Sequence, residues 1–339
     1  MQSLLSELTI VIPTKNRAPW LKRVFQYYSK CNFTGKIIIT DSSNLETFME
    51  INEIKDSYKN LNIDTFHFPD LNVERAINSI LDKIQTKYSV FLADDDMLLT
   101  EGLSKAVNFL NNNDTYVAAL GNAYMLGTLT NKPFGPVHAI VDYSVKSYDN
   151  DDGLKRIEDY LDHPKALIFS VVTSKIFIES FKLMMSLDIR YQEMKFGETL
   201  QAICYLGRGK IIKLESEYLV RQFHPGNLYH KIDHKVWLND KGFKNAFDIL
   251  EKYTKLTFNY ERNDQVEKIF KNFLIFVTRE KQTNDKFSIL NFLKKNLPIK
   301  IIKIMKKIKF FLYDSYKVKR FKKTVELKNY IRIIESKNI

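Results

Sequence analysis

The chain is poor in cysteine, and its only two, Cys31 and Cys204, lie far apart in a sequence of 339 residues. They form no metal-ligand spacing, so cysteine usage points to no zinc site. A reducing compartment is the default expectation for such a chain.

The sequence also lacks an uninterrupted apolar stretch long enough to cross a bilayer, and no signal peptide precedes the first strand-like run. Repeats and low-complexity segments are absent as well. Hydrophobic residues make up 45% of the chain, which is ample for a large core. These features lead us to expect a cytoplasmic protein.

The excess of positive charge is confined to one end of the chain. The formal net charge is +12, yet residues 286–339 alone contain 16 Lys and Arg against 3 acids, so the remainder is nearly neutral. Within this tail, residues 299–312 interleave lysines with bulky apolar residues. A basic amphipathic helix of this kind suits an anionic membrane surface, and we expect peripheral association with the inner face of the cytoplasmic membrane. The alternatives are a helix packed on the protein body and, ranked lower, nucleic-acid binding.

Strand-like and helix-like patterns alternate through the first half of the chain. Strand signals cover Leu8–Ile12, Lys36–Thr40, Ile63–Phe68, Tyr88–Ala93 and Tyr116–Leu120, and helical spacing covers residues 20–28 and 76–84. This alternation predicts an α/β fold with a mostly parallel central sheet flanked by helices. Residues 127–152 lack periodicity and predict a long functional loop. Helices are expected at 154–161, 175–187 and 199–206, and one or two strands at 210–220.

These patterns divide the chain into three parts. We expect a catalytic domain over residues 1–232, with halves of about 1–125 and 126–232. A helical extension over 233–285 and the basic amphipathic helical tail over 286–339 follow.

The run Asp94-Asp95-Asp96 follows the apolar strand 88–93 and is the most informative motif. Three adjacent carboxylates repel one another unless a cation offsets their charge, and oxygen ligands suit Mg²⁺ or Mn²⁺. Open α/β sheets also bind ligands at the carboxyl ends of their strands. The alternative is a solvated acidic turn before a helix.

Three further motifs occupy positions where a ligand can bind. Pro13-Thr14-Lys15-Asn16-Arg17 ends the first strand and can either cap a helix or bind phosphate. Asp41-Ser42-Ser43 ends the second strand and can either accept hydrogen bonds from a nucleotide or form a turn. Arg75 and Asn78 share one side of a predicted helix, which faces either a cleft or solvent.

The order of these motifs resembles a GT-A glycosyltransferase, most closely the family 2 type found among bacterial surface-polysaccharide enzymes, over roughly residues 6–225. The resemblance implies a nucleotide-sugar donor and a divalent metal, Mn²⁺ or Mg²⁺. It places the nucleotide-sugar site on Pro13, Thr14, Asn16, Arg17, Asp41, Arg75, Asn78, Asp94 and Asp95. It also places the metal on Asp96, although which of the three aspartates holds the metal stays open.

Two motifs in the second half complete the expected chemistry. Glu198 opens a helix, where it is either the general base that removes the acceptor hydroxyl's proton or a charge favourable to the helix dipole. Relatives carry a Glu-Asp pair where this chain has Glu198-Thr199, and Glu193 is a reserve candidate. Arg221 and His224 follow a strand and can neutralise a diphosphate or ligate the metal.

Together these expectations describe a metal-dependent, inverting glycosyltransferase that acts on a glycan acceptor, possibly lipid-linked, in bacterial surface-polysaccharide synthesis. One alternative is a sugar nucleotidyltransferase, although the turn 13–17 has none of the glycines that such an enzyme's phosphate loop uses. The other is a non-catalytic scaffold or binding protein that kept the fold. His230 and His234 extend the cluster around His224 as weaker candidates.

Overall fold

The computed structural model describes residues 2–128, 132–143, 145–162, 164–186, 194–224 and 325–336, together with 248, 251, 254, 264 and 267–269. Its strands are β1 (Leu8–Thr14), β2 (Lys36–Asp41), β3 (Asn62–His67), β4 (Tyr88–Phe91), β5 (Met97–Leu98), β6 (Tyr116–Thr128), β7 (Val137–Asp142), β8 (Val171–Thr173) and β9 (Lys210–Phe223). Its α-helices are α1 (Gln2–Leu5), α2 (Ala18–Lys30), α3 (Leu45–Asp56), α4 (Val73–Asn78), α5 (Thr100–Asn111), α6 (Gly153–Asp162), α7 (Ser174–Met184), α8 (Met194–Arg208) and α9 (Val325–Glu335).

A single nine-stranded sheet organises the described residues, in the order β3-β2-β1-β4-β8-β6-β9-β5, with β7 paired to β6. The four strands β3, β2, β1 and β4 are parallel to one another, whereas β4 pairs with β8 in antiparallel. All seven residues of β1 are buried, as expected for a strand covered by helices on both faces. The predicted α/β architecture with a central sheet and flanking helices is confirmed.

The carboxyl ends of the parallel strands determine where a site can form. Thr14 at the end of β1 pairs with Asp41 at the end of β2, and Asp41 pairs with His67 at the end of β3. β4 is parallel to β1, so Asp94–Asp96 leave the sheet at this same edge. The topology therefore collects at one edge the motifs that follow separate strands in the sequence.

The second half of the sheet supplies a long strand that reaches this edge. β9 runs for 14 residues and pairs in parallel with β6 over most of its length and with the short β5 in antiparallel. In the pairing of β5 with β9, Val220 lies opposite Met97, the residue after Asp96. Arg221 and Gln222, beyond the predicted end of the strand, are thereby brought beside the aspartates.

Two local predictions were wrong. Residues 127–152 do not form one long loop, because β6 continues to Thr128 and β7 pairs with it in antiparallel. The prolines and glycine at 133–136 mark the approach to β7 and not an irregular segment throughout. The helix expected over 76–84 ends at Asn78, and a separate 3₁₀ turn follows at Leu81–Lys83.

The last part of the expected tail folds back onto the body of the protein. Helix α9 packs against α2 and β7, and it buries Leu327, Tyr330, Ile331, Ile333 and Ile334. The lysine-rich segment 299–312 lies outside the described residues, as do 225–247 and most of 248–285. In the part of the chain that the structure describes, no helix has the length and hydropathy needed to span a membrane.

Candidate active site

The three aspartates lie in the connection between β4 and β5 and are buried, with Asp94 5% exposed, Asp95 8% and Asp96 3%. The backbone N–H of Asp96 donates to the carbonyl of Ala93 at 3.0 Å, which turns the chain here. A solvated acidic turn is therefore excluded. Buried carboxylates require partners, and each of the three has them.

Arg17 joins the first two aspartates. Its Nη1 lies 2.6 Å from Oδ1 of Asp94 and 3.0 Å from Oδ2 of Asp95. Arg17 occupies the N-cap position of α2, immediately after the turn that follows β1. Thr14, the last residue of β1, donates its hydroxyl to Asp94 at 2.8 Å. The predicted nucleotide-binding turn and the aspartate cluster thus form one hydrogen-bonded unit.

Asp96 is held from the opposite side by β9. Its Oδ1 accepts the backbone N–H of Gln222 at 3.0 Å, and its Oδ2 lies 3.2 Å from Nε of Arg221. The guanidinium of Arg221 lies over the rings of Tyr143 and Phe169, at 5.4 and 4.9 Å from their centroids. These contacts orient a cation towards the aspartates while part of its surface stays accessible.

His224 completes the cluster as a wholly buried imidazole. Its Nε2 lies 3.1 Å from Oδ2 of Asp95, and its ring packs on the indole of Trp20 at 4.7 Å between centroids. The structure thus brings His224 and Arg221 together with the aspartates, as the sequence motif suggested. Glu193, His230 and His234 lie outside the described residues.

Arg23 is a functional neighbour that the sequence reasoning missed. It is fully buried, and its Nη2 donates to the backbone carbonyl of Asp95 at 2.8 Å. Its Nη1 donates to the carbonyl of Pro133 at 3.1 Å and to Oε1 of Gln222. The available signal was helical spacing, because Arg23 falls on the same face of α2 as the apolar residues Trp20, Val24 and Tyr27.

The aspartates titrate unevenly because their surroundings differ. Burial raises the pKa of Asp94 to about 6, with a further increase from Asp95 that Arg17 partly offsets. Burial also raises the pKa of Asp96 to about 7, against the opposing effect of Arg221. For Asp95, burial acts upward too, but His224 and Arg17 outweigh it and lower the pKa. Burial therefore disfavours the ionised forms of Asp94 and Asp96, even though Arg17 and Arg221 lie beside them, and a bound cation would favour ionisation.

A second polar group forms where β1 and β2 end. Asp41 is wholly buried; its Oδ1 accepts the N–H of Ser43 at 2.7 Å, and its Oδ2 has no hydrogen-bond partner among the described residues. Asn16, which adopts a left-handed φ of 55°, donates its N–H to Oγ of Ser43 at 2.7 Å. Pro13 lies in β1 beside Thr40 of β2. An orphaned buried carboxylate oxygen can accept a donor from a ligand.

The helices α4 and α8 border the same edge. Glu198 lies in the first turns of α8, and together with Gly197 and Gln201 it lines a narrow crevice that Glu74 of α4 also lines. Burial tends to lower the pKa of Arg221, but Asp96 and then Glu198 raise it above its usual value, which places Glu198 within electrostatic reach of the cluster.

Arg75 and Asn78 lie on α4, Arg75 exposed and Asn78 half-buried. The N–H of Arg75 is capped by the side chain of Asn72 at 3.0 Å. No described hydrogen bond or ion pair joins either side chain to the aspartates.

A Rossmann-like sheet with an aspartate cluster beyond the fourth strand and an arginine-bearing turn after the first is the arrangement expected of a GT-A fold. Residues 9–177 match the family model described as Glycosyl transferase family 2. This match, over just under half of the chain, supports a glycosyltransferase domain of the family 2 type. No curated protein sequence matches the chain.

Solved structures share the fold at low sequence identity. S. aureus TarS 1–349 is 12% identical with a TM-score of 0.52, and the match covers 83% of this chain and 75% of that one. TarS 1–349 in complex with UDP-GlcNAc is 12% identical with a TM-score of 0.51, covering 96% of this chain and 81% of that one. Against a longer S. aureus TarS structure, with a TM-score of 0.48 and 12% identity, the match covers 86% of this chain but only 46% of that one.

Proposed function

We propose that this glycosyltransferase moves a sugar from a nucleotide-sugar donor to an acceptor hydroxyl by a metal-dependent, inverting single displacement. The observation that carries the proposal is the meeting, at one sheet edge, of buried Asp94–Asp96 with Arg17, Arg221 and His224. A UDP-sugar donor is supported by the complex of TarS 1–349 with UDP-GlcNAc, which shares the fold.

The residues of the cluster fit a divalent metal. Asp96 would hold it, with His224 as the second candidate ligand and Asp95 beside them. The donor set is hard oxygen plus imidazole, and burial raises the pKa values of Asp94 and Asp96, so that a bound cation would stabilise their ionised forms. Among the described residues, no three candidate side chains form a ready-made metal site. When bound, the metal would stabilise the negative charge of the leaving diphosphate.

The donor nucleotide is assigned to the turns after β1 and β2. The unpaired Oδ2 of Asp41 would accept an N–H from the base, and Thr14, Asn16 and Arg17 would line the ribose and phosphates. Pro13, in β1 beside Thr40, would lie next to them. Arg75 and Asn78 would approach the donor from α4, and Asp94 and Asp95 would hold Arg17 in place.

Glu198 is the proposed general base. Its carboxylate would take the proton of the acceptor hydroxyl while the acceptor oxygen bonds to the anomeric carbon. The bond from that carbon to the diphosphate oxygen breaks at the same time, and the diphosphate leaves with its charge stabilised by Arg221. Attack from the face opposite the leaving group inverts the anomeric configuration.

The acceptor and its cellular site extend this proposal. We infer a glycan acceptor, possibly lipid-linked, in bacterial surface-polysaccharide synthesis. The basic residues 299–312 would hold the enzyme at an anionic membrane surface. We also propose that the chain divides into three parts, with boundaries near residues 232 and 285.

The first experiment is thermal unfolding with UDP, GDP, CDP, CMP or TDP, each with and without Mn²⁺. We expect one nucleotide to raise the Tm only with the metal, because a ligand that binds the folded state alone stabilises it. That nucleotide then guides the choice of donor sugars for transfer and hydrolysis assays. A folded protein that responds to none of them, and hydrolyses no donor, would contradict the proposal.

A further inference from the structure

Helix α9 lies behind the aspartate cluster although it is more than two hundred residues away in the sequence. We propose that α9 contributes to the function of the active site. Tyr330 of α9 positions Arg23, and Arg23 in turn positions the backbone of Asp95 for metal and diphosphate binding. This inference rests on the proposed function. Tyr330 and Arg23 are positioning residues, since neither would touch the reacting atoms.

The first step is the contact between α9 and Arg23. The guanidinium of Arg23 lies between two aromatic rings, 4.9 Å from the centroid of Trp20 and 5.9 Å from that of Tyr330. Tyr330 also packs edge-on against Tyr27 at 5.4 Å. The hydroxyl of Tyr330 is buried and has no partner among the described residues, so the ring, not the hydroxyl, makes the contact with Arg23.

The second step leads from Arg23 to the cluster. Arg23 donates to the carbonyl of Asp95 at 2.8 Å and also to Gln222, whose own N–H is bonded to Asp96. The opposite ring, Trp20, packs on His224, which is bonded to the Asp95 carboxylate. A shift of Arg23 would therefore move the backbone of Asp95 and two partners of the aspartates together.

The third step is a second anchor from the same helix. Glu326 accepts the hydroxyl of Thr100 at 2.7 Å and that of Tyr27 at 2.6 Å, and its two oxygens lie 3.3 Å from the N–H of Glu101. Thr100 and Glu101 form the N-terminus of α5, where the residue at the cap position, Leu99, provides no side-chain bond. A carboxylate from a distant helix thus caps α5.

The two anchors enclose the segment that carries Asp96. Tyr330 acts through Arg23 on the carbonyl of Asp95, and Glu326 holds Thr100, four residues beyond Asp96. A third contact joins the carbonyl of Ile334 to the N–H of Gly135, near the Pro133 carbonyl that Arg23 also binds. α9 is therefore linked to the chain on both sides of Asp96, a role beyond covering apolar surface.

The test uses the full chain with Trp237→Phe, so that Trp20 is its only tryptophan. Two quantities are measured, the emission of Trp20 and the Mn²⁺ concentration needed for UDP binding. They are compared for Tyr330→Ala, Tyr330→Phe and Ile331→Ala. We expect Tyr330→Ala to shift the emission and to raise the Mn²⁺ midpoint about tenfold. Tyr330→Phe keeps the ring and should restore both values. Ile331→Ala also opens a cavity in α9 but removes no ring from Arg23, so both values should stay near the parent's.

A Tyr330→Ala protein with parent-like emission and Mn²⁺ response would overturn the proposal, and so would an equal loss in Ile331→Ala. Arg23→Lys provides a second route should Tyr330→Ala not fold, because it leaves α9 unchanged and removes the forked donor. It should weaken the Mn²⁺ response similarly, and a parent-like response would overturn the proposal. If the parent does not bind UDP with Mn²⁺, the nucleotide that raises its Tm replaces UDP. If the parent binds none of the five nucleotides, the proposed function is contradicted, and Trp20 emission alone decides whether Tyr330 positions Arg23.

Discussion

The carboxylate of Asp96 accepts a hydrogen bond from the backbone N–H of Gln222 at 3.0 Å, across 126 positions of sequence. A backbone donor cannot be removed by changing the side chain of Gln222, so the position of Asp96 depends on the course of β9 itself. β9 in turn pairs with β5 one residue beyond Asp96. The candidate metal ligand is therefore oriented only when both halves of the sheet have formed.

Replacement of the proposed metal ligand should abolish metal-dependent transfer. We expect Asp96→Ala to lower transfer by about a hundredfold or more, because the charge on the leaving diphosphate loses its stabilisation. Transfer is measured as a function of Mn²⁺ concentration. Asp82→Ala, which removes an exposed carboxylate outside the cluster, is the matched control and should behave as the parent. Full transfer and metal response in Asp96→Ala would show that the metal is held elsewhere.

The same carboxylate should lower the stability of the metal-free protein at high pH. Burial raises the pKa of Asp96 to about 7, whereas the pKa of an Asp in an unfolded chain is about 4. The folded protein therefore binds the proton of this carboxyl more tightly than the unfolded chain does. Its contribution to stability is full below about pH 4 and is lost as the pH rises through about 7. We therefore expect Asp96→Asn, in EDTA, to raise the Tm relative to the parent more at pH 8 than at pH 4.5.

The control for this comparison is Asp56→Asn, at an exposed position on α3. Its difference from the parent should change little between the two pH values, since the carboxylate is in water in both the folded and the unfolded protein. A Tm difference for Asp96→Asn that is equal at both pH values, or larger at pH 4.5, would contradict the prediction.

The parts of the site that the sequence could predict are those that follow strands. Thr14, Asp41 and Asp94 each come at or just after the end of an apolar run, and parallel strands place such ends at one edge. Local pattern and one rule of topology were enough to group them. Arg221 and His224 were found in the same way, after the strand signal at 210–220.

The parts that could not be predicted depend on contacts between distant residues. Nothing local distinguishes Arg23 from a solvated arginine on α2 except its position on the apolar face, and its partners are 72 to 199 residues away. Tyr330 lies in a tail whose charge suggested a membrane or a partner. Its docking follows from the apolar face of α9 and from Glu326, whose role as a cap of α5 has no local sequence signal.

The buried oxygen of Asp41 should determine how well the nucleobase binds. Asp41→Asn can keep the acceptor for the N–H of Ser43 and replace the unpaired oxygen by an NH₂ group that cannot accept. We expect UDP affinity to fall about tenfold, since a ligand donor would lose its partner. Binding of inorganic pyrophosphate with Mn²⁺ serves as the internal control and should not change. An equal loss for both ligands would indicate damage to the phosphate site, and no loss for UDP would remove Asp41 from base recognition.

Separation of donor binding from catalysis provides the sharpest test of Glu198. Glu198→Gln keeps the size of the side chain but cannot take a proton, so we expect kcat for transfer to fall about 10²–10⁴-fold while Mn²⁺-dependent UDP binding stays near the parent value. Glu179→Gln, in a surface ion pair with Arg208, controls for loss of a carboxylate elsewhere in this half of the domain. Normal turnover in Glu198→Gln would assign the proton to another group. Lost turnover together with lost UDP binding would make Glu198 a structural support of the donor site, because a general base acts on the acceptor and not on the nucleotide.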